Sequence, residues 1–435
     1  MPLILDENFN MILKLLESSS ENIFLTGNAG TGKSTLLDHF RNTTGKNISV
    51  VAPTGVAAVN VKGETIHSFF GFPPNITAER AIDEAKRTKK GKICNALDIL
   101  IIDEISMVRA DLLDAIDLFL QTARHKPHAF GGVKVVMVGD LHQLPPVVTA
   151  DEKQALASLY DSPYFFSSKV FKSLFDGLLP QLKLVELQNI YRQTDQKFID
   201  LLNRIRNKET TEKDLDLLNE RLATDGESLE NYIILTTIND QADKMNQLKL
   251  DEIEGPTYTF NAVRSGLFPA QQFPAADTLF LKTGARIMLL NNDPQSRWIN
   301  GTLGTLYRVT PEGAFVKIDG GEVEKVEAVT WSSYKTVFNE TTRALEIKNI
   351  GSFKQMPLRL AWAITIHKSQ GKTFDRVAID FGRGAFAHGQ TYVALSRCTS
   401  LSGLRLFRPI QPESIIVDTR VVTFLEGLRQ LAVGS

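Results

Sequence analysis

The chain is poor in the residues that would mark several whole classes of protein. Of its 435 residues only two are cysteines, Cys94 and Cys398, too few for a disulfide framework or a multi-thiolate zinc site. Both read as buried thiols in a reducing compartment. Neither sign of charge is in excess: Lys+Arg is 49 and Asp+Glu is 50. A histone-like coat of positive charge is thereby excluded, although a local basic groove is not. Long apolar runs are missing too. The stretch Ile99-Leu100-Ile101-Ile102 is far too short to cross a bilayer, and no basic segment precedes an apolar one at the N-terminus. No membrane and a cytoplasmic location are the expectation. There is no internal repeat and no low-complexity tract. Glycine and proline, at 29 and 17, are near ordinary usage, so collagen-like and disordered readings fail.

What is present is a soluble-type balance, 43% hydrophobic and 23% charged, in a length that suggests about three domains. The first third alternates short apolar runs with helical stretches. Strands are expected at Asn22 to Thr26, Ile48 to Ala52, Asp98 to Ile102 and Val133 to Val138. Continuous apolar runs bounded by turn residues suit strands buried on both faces, and their alternation with helices implies a parallel sheet. A second α/β unit is expected from near Leu182, with a helix around Gln196 to Asn207 and a strand at Tyr232 to Thr236. From about Gly255 to Ser352 the texture changes to short alternating segments with turn signals, as in an all-β unit. The α/β texture returns after Pro357. The expected division is therefore residues 1–175, with a small loop insertion near 63–76; residues 176–254 and 353–435; and an inserted unit at 255–352.

The strongest chemical signal is Gly27-Asn28-Ala29-Gly30-Thr31-Gly32-Lys33-Ser34, followed by Thr35. It matches GxxxxGK[ST] with a strand before it and a helix after it. Glycines let backbone N–H groups curl around phosphates, and the helix N-terminus adds a positive dipole. Lys33 would reach the β- and γ-phosphates of ATP, and the Ser34 hydroxyl would bind Mg²⁺. A Gly-rich turn without ligand is the bland alternative, and the next motif argues against it. Ile101-Ile102-Asp103-Glu104 delivers two adjacent carboxylates to a strand end. Side chains alternate along a strand, so the two should differ in role: Asp103 on Mg²⁺, Glu104 on the attacking water. In Gly139-Asp140-Leu141-His142-Gln143-Leu144-Pro145-Pro146, Gln143 can hydrogen-bond both a phosphate and a water while staying neutral.

These motifs, together with Ala363 to Phe374 and Tyr392 to Leu401, resemble in order the motifs of superfamily-one helicases. They are most similar to the 5′-to-3′ branch and within it to the Pif family of DNA helicases. The likeness runs from about Asn22 to Phe407. It implies two RecA-like parallel-sheet P-loop domains with ATP between them and a small β-barrel inserted in the second. It also implies that Arg192 and Arg397 act as arginine fingers from the second domain, and that Gly371 lines the same cleft. An added Arg is worth about 10³–10⁵ in rate, and placing it on the other domain ties hydrolysis to closure. The family's N-terminal adenine-reading glutamine is replaced here by the stretch Leu5 to Asn10, where Asn8 or Asn10 could substitute.

The resemblance places single-stranded DNA against Pro53, Thr54 and Gly55, and against Thr65, His67, Ser68 and Phe69. From the second domain it adds Thr365, His367, Lys368 and Ser369. Hydroxyl and backbone contacts to phosphate reconcile DNA binding with a net charge of -1. Phe69, Phe70 and Phe72 could stack on bases or could equally be core. The run Lys86 to Lys92 reads equally well as a solvated face. The implied activity is an ATP-dependent helicase that separates forked DNA, with roles in repair, recombination and telomere maintenance, acting as a monomer before it meets DNA. The alternatives are a RecD-like exonuclease subunit, an RNA-preferring helicase, or a non-motor protein that uses ATP as a switch.

Overall fold

The structure, a computed structural model, describes residues 7–433 apart from 74–75, 89, 177–180, 189–192, 194, 225, 311–312, 340–343 and 383. Six strands build a first sheet: β1 (Asn22–Gly27), β2 (Ile48–Ala52), β3 (Glu64–Thr65), β4 (Ile99–Ile102), β5 (Lys134–Val138) and β6 (Leu182–Leu187). Their order is β3-β2-β4-β5-β1-β6 and every pair is parallel. β1, β4 and β5 are buried along their whole length, which is why they carry consecutive apolar residues, Ile23 to Leu25, Ile99 to Ile102 and Val135 to Val138, rather than alternating ones.

The chain continues through β7 (Ile233–Thr236) into a β-rich stretch. This holds β8 (Tyr258–Asn261), β9 (Val263–Gly266), β10 (Thr278–Leu281), β11 (Arg286–Leu289), β12 (Leu303–Thr310), β13 (Gly313–Ile318) and β14 (Val323–Val326). It ends with β15 (Val329–Asn339), β16 (Ala344–Gln355) and β17 (Leu358–Leu360). Then come β18 (Ala363–Thr365), β19 (Val377–Asp380) and β20 (Leu404–Leu406). A second parallel sheet forms in the order β18-β7-β19-β20. The β-rich stretch thus sits between two neighbouring strands of that sheet, as an insertion.

Three expectations change. Among the described residues the inserted strands form open sheets rather than one closed barrel: β14-β13-β12-β11-β17, β15-β16-β9 and β10-β8. The second unit does not begin near Leu182, because β6 pairs with β1 over its full length and is an edge of the first sheet. Nor does the second unit keep the C-terminus. The helix Thr419–Val433 packs Val421, Leu425 and Leu428 into the first unit's core, stacks Phe424 on Phe166 at 4.2 Å, and pairs Arg429 with Glu186 of β6 at 2.8 Å.

The segment near 63–76 is not an open loop. Its helix Ile66–Phe70 turns Phe69 and Phe70 inward, and Phe70 and Phe72 meet Phe119 edge-on at 5.1 and 5.6 Å. Phe69 is 1% exposed, so its ring is core and not a platform for a base. Lys90, from the basic run, is also turned in: it donates to the Ser68 and Phe69 carbonyls and lies over the Phe69 ring. Cys94 and Cys398 are both buried thiols, pushed up to about 11 by burial. Among the described residues no helix is long and apolar enough to cross a membrane. The Phe69→Ala variant should lose about 3–5 kcal/mol of stability in urea unfolding. A loss near zero would show that the ring is outside the core.

Candidate ATP site at the seam between the two units

The carboxyl ends of β4, β5 and β1 lie side by side, the edge where open parallel sheets bind ligands. From β1 the chain enters the P-loop, where Gly30 and Gly32 adopt φ of +82° and +83°, a turn closed to ordinary side chains. The turn leads into the helix Lys33–Thr43, at whose start Ser34 and Thr35 are exposed. Lys33 Nζ donates to the carbonyls of Gly27 and Asn28 at 2.8 and 2.9 Å, and Thr31 closes on Asn28 at 3.0 Å. Burial lowers the Lys33 amine from its ordinary value, against the pull of Asp140, Glu104 and Asp103.

β4 delivers Asp103 and Glu104. Burial raises the Asp103 carboxyl to about 6, against the Glu104 N–H that it accepts. Glu104 is raised to about 7 by burial first and by Asp103 second, while Lys33 and Arg397 pull the other way. A left-handed backbone at Glu104, φ 50°, ends the strand and separates the two side chains.

After β5 the loop 139–146 reaches into the second unit. Leu144 and the P-loop's Ala29 pack in that unit's core, and Tyr392 Oη accepts the Ala29 N–H at 3.3 Å. Asn28 donates to Asn203 at 2.9 Å. His388 bonds the Leu141 carbonyl at 2.8 Å. At Gly389, φ +71°, a Cβ would stand 2.3 Å from the His142 oxygen, so only glycine permits this approach. Gln143 is buried, and its amide donates to Asp140 at 3.3 Å. Gln370, on the turn after β18, donates to Gln143 Oε1 at 3.0 Å and to Glu104 Oε2 at 3.3 Å. Asp140 is 1% exposed: burial pushes its carboxyl up, but Arg206 at 3.2 Å and Lys33 outweigh this and hold it at about 2.

Of the residues expected here, Lys33, Asp103, Glu104 and Gln143 come together on the first unit. Arg397 faces them from the second, close enough for its charge to act on Glu104. It is 1% exposed and donates to the carbonyls of Val393, Ser369 and Lys372 and to Ser396 Oγ. Gly371 directly follows Gln370 in an exposed turn, with φ +78°. Arg192 lies outside the described residues. Gln370, Arg206, Asp140, Tyr392 and Asn203 were missed. Gln370 stood inside a motif already singled out, and an amide beside His367, Lys368 and Ser369 was a legible hint. Arg206 carried no local signal, because its partner is far away in sequence.

The expected strand-binding residues divide into carriers and supports. Thr54 and Thr65 cap the helices Gly55–Asn60 and Ile66–Phe70, accepting from Ala57 and Ser68 at 3.3 and 3.2 Å. Pro53 and His67 are half-buried, Gly55 is buried, and Ser68 is exposed. The Thr365 and Ser369 side chains are 2% and 0% exposed, which corrects their assignment as direct contacts. Thr365 accepts from the Lys368 N–H at 3.3 Å and Ser369 donates to Ile366 at 2.7 Å. They shape a turn that presents His367 and Lys368 to solvent.

Two parallel sheets, a P-loop on the first and a seam closed by the second define a protein of two RecA-like units. A family model described as PIF1-like helicase matches residues 6–216. An ATP-dependent DNA helicase Pif1 of Bdellovibrio bacteriovorus is 34% identical over 94% of this chain and 90% of its own length. The crystal structure of a Bacteroides Pif1 with ADP-AlF4 superposes with a TM-score of 0.90 at 38% identity, covering 98% of both chains. The Bacteroides Pif1 bound to single-stranded DNA covers 98% of this chain and 97% of its own at 39% identity, with a TM-score of 0.68. The chain belongs to the PIF1-like helicase family.

The raised Glu104 carboxyl has a consequence for stability. Its folded value, about 7, lies above the ordinary value of 4.5, so the fold favours the protonated form. The stability this group contributes is fully present below about 4.5 and is lost as pH rises from there to about 7, over the range in which the unfolded chain ionises and the folded one does not. Glu104→Gln should therefore raise the unfolding temperature, and by more above pH 7 than well below it. An unfolding temperature that falls, or a gain confined to acid pH, would contradict the placement of this carboxyl.

Proposed function

We propose that this chain is an ATP- and Mg²⁺-dependent DNA helicase that moves 5′ to 3′ on single-stranded DNA and separates duplex ahead of it, including forks and four-stranded guanine structures. The observation that carries the reading is Gln370. Its one amide joins the second unit to both the Glu104 carboxylate and the Gln143 amide of the first. Chemistry at Glu104 and motion of the second unit are thereby linked.

In this reading the P-loop backbone and Lys33 hold the β- and γ-phosphates. Glu104 takes a proton from a water as that water attacks the γ-phosphorus, and ADP leaves with the bridging oxygen. Gln143 orients the water, and Arg397 and Arg192 offset charge on the transferred group. The donors at Ser34 and Asp103 are hard oxygens, and the raised Asp103 carboxyl would be ionised by a nearby cation, which suits Mg²⁺. Mg²⁺ held there supplies neutralising charge to the phosphates. His367 and Lys368 from the second unit, with Thr54, Thr65, His67 and Ser68 from the first, form two contact sets on units that move relative to one another. One base-pair step costs about 1.4 kcal/mol in stacking, so each advance must be driven. The lower TM-score against the DNA-bound Bacteroides relative, 0.68 against 0.90 at 39% and 38% identity, supports a rearrangement when DNA is engaged. The protein is proposed to be cytoplasmic and monomeric before it meets DNA.

Glu104→Gln should bind ATP and DNA yet turn over at least about 10²-fold more slowly. Strand displacement should proceed from a 5′ single-stranded tail and not from a 3′ tail; the reverse preference overturns the polarity. Lys368→Ala should weaken single-stranded DNA binding uniformly across sequences and reduce the salt slope of log K by about one. An unchanged slope would remove Lys368 from the strand path.

A further inference from the structure

The helix Gln196–Asn207 buries Phe198, Leu201, Leu202 and Ile205 on its inner face, and with them a charge, Arg206. Arg206 is 9% exposed. An interior guanidinium costs several kcal/mol in lost hydration, so what it faces must repay that. It faces Asp140 across the seam, Nη2 to Oδ1 at 3.2 Å. The same carboxylate accepts the His142 N–H at 3.1 Å and the Gln143 side-chain amide at 3.3 Å. It therefore shapes the loop that carries Gln143. Gln143 in turn accepts from Gln370, which also reaches Glu104. The result is one chain of contacts, Arg206–Asp140–Gln143–Gln370–Glu104, that crosses between the units at both ends of the Asp140–Gln143 pair. Among the described residues the Nε of Arg206 is buried without a hydrogen-bond partner, and the Asp140 carboxylate is the charge its guanidinium meets. The other ionisable groups within its field are Lys33, His142 and Tyr392. Burial and the Arg206 charge hold the His142 ring neutral, down at about 3, so Asp140 is the counter-charge.

The geometry points to Arg206 as a positioning residue for ATP turnover: it fixes Asp140, and through it Gln143, in register with Glu104 when the second unit is closed on the first. This rests on the proposed roles of Glu104 and Gln143. It adds a cationic switch that acts on the protein's own loop and not on the phosphates. Opening the seam would break the pair and release the loop, so a misaligned Gln143 would accompany every open state.

The test is a four-member cycle in the full chain: parent, Arg206→Gln, Asp140→Asn and the double variant. The readouts are turnover stimulated by single-stranded DNA, KM for ATP, and DNA affinity. Each single change should lower kcat on the order of 10²-fold, the cost of a misplaced catalytic group. KM and DNA affinity should stay within about threefold. The double variant should be no slower than the slower single, since both remove one link. It also leaves no unpaired interior ion, so it separates lost positioning from lost folding. Arg206→Lys keeps the charge without the planar fork and should fall between parent and Arg206→Gln. Parental turnover in the double variant overturns the proposal. So do additive losses, which would mean that Arg206 acts on the nucleotide directly, and so does a loss confined to DNA affinity. Glu104→Gln, run alongside, keeps the two readings apart: if it turns over normally, the catalytic assignment fails whatever Arg206 does.

Discussion

Charge held away from water at the boundary between two units is the constraint around which this molecule is arranged. Among the described residues, Lys33, Arg206 and Arg397 stand among the carboxyl groups of Asp103, Glu104 and Asp140 at the edge where β4, β5 and β1 end. None of these groups could be left without its counterpart except at a cost of several kcal/mol. The cations come from both units, so neither unit balances its own charge. Ionic balance and closure of the seam are one condition. The same condition explains why the loop 139–146 is buried although it is a loop: beside its internal bonds, Asp140, Leu141 and Gln143 find partners in Arg206, His388 and Gln370 across the seam.

The neutral contacts follow the same plan. Tyr392, Asn203, His388 and Gln370 each meet a backbone or amide group of the first unit. Amide and phenol contacts of this kind fix geometry at modest net energy and can be exchanged for water without leaving an ion stranded. A seam held by the Arg206–Asp140 ion pair, several such bonds and the limited apolar packing of Ala29 and Leu144 can open and close repeatedly. An apolar seam of the same extent would tend to stay shut.

Much of this was legible in the sequence, and the limits have physical reasons. The strands β1, β2, β4 and β5 of the first sheet were readable because they are mostly buried on both faces, which writes an apolar run into the chain. The P-loop and the Asp103-Glu104 pair were readable because their chemistry demands fixed spacing. The stretch that forms β6 was read as the start of the second unit and not as a strand of the first sheet, since its half-exposed pattern says nothing about its neighbour. Phe69 and Thr365 were misplaced because an aromatic or hydroxyl residue in a binding motif looks the same whether it touches the ligand or holds up the backbone that does. Asp140 and Arg206 are 66 positions apart, a separation no local pattern reports.

The return of the helix Thr419–Val433 to the first unit means that the backbone passes between the units twice, once outward after β6 and once back before that helix. A single linker would let the second unit tumble. Two connections act like the two pins of a door and narrow the ways in which it can move against the first unit. Opening and closing of the seam therefore draws on fewer kinds of motion than a singly tethered unit would have.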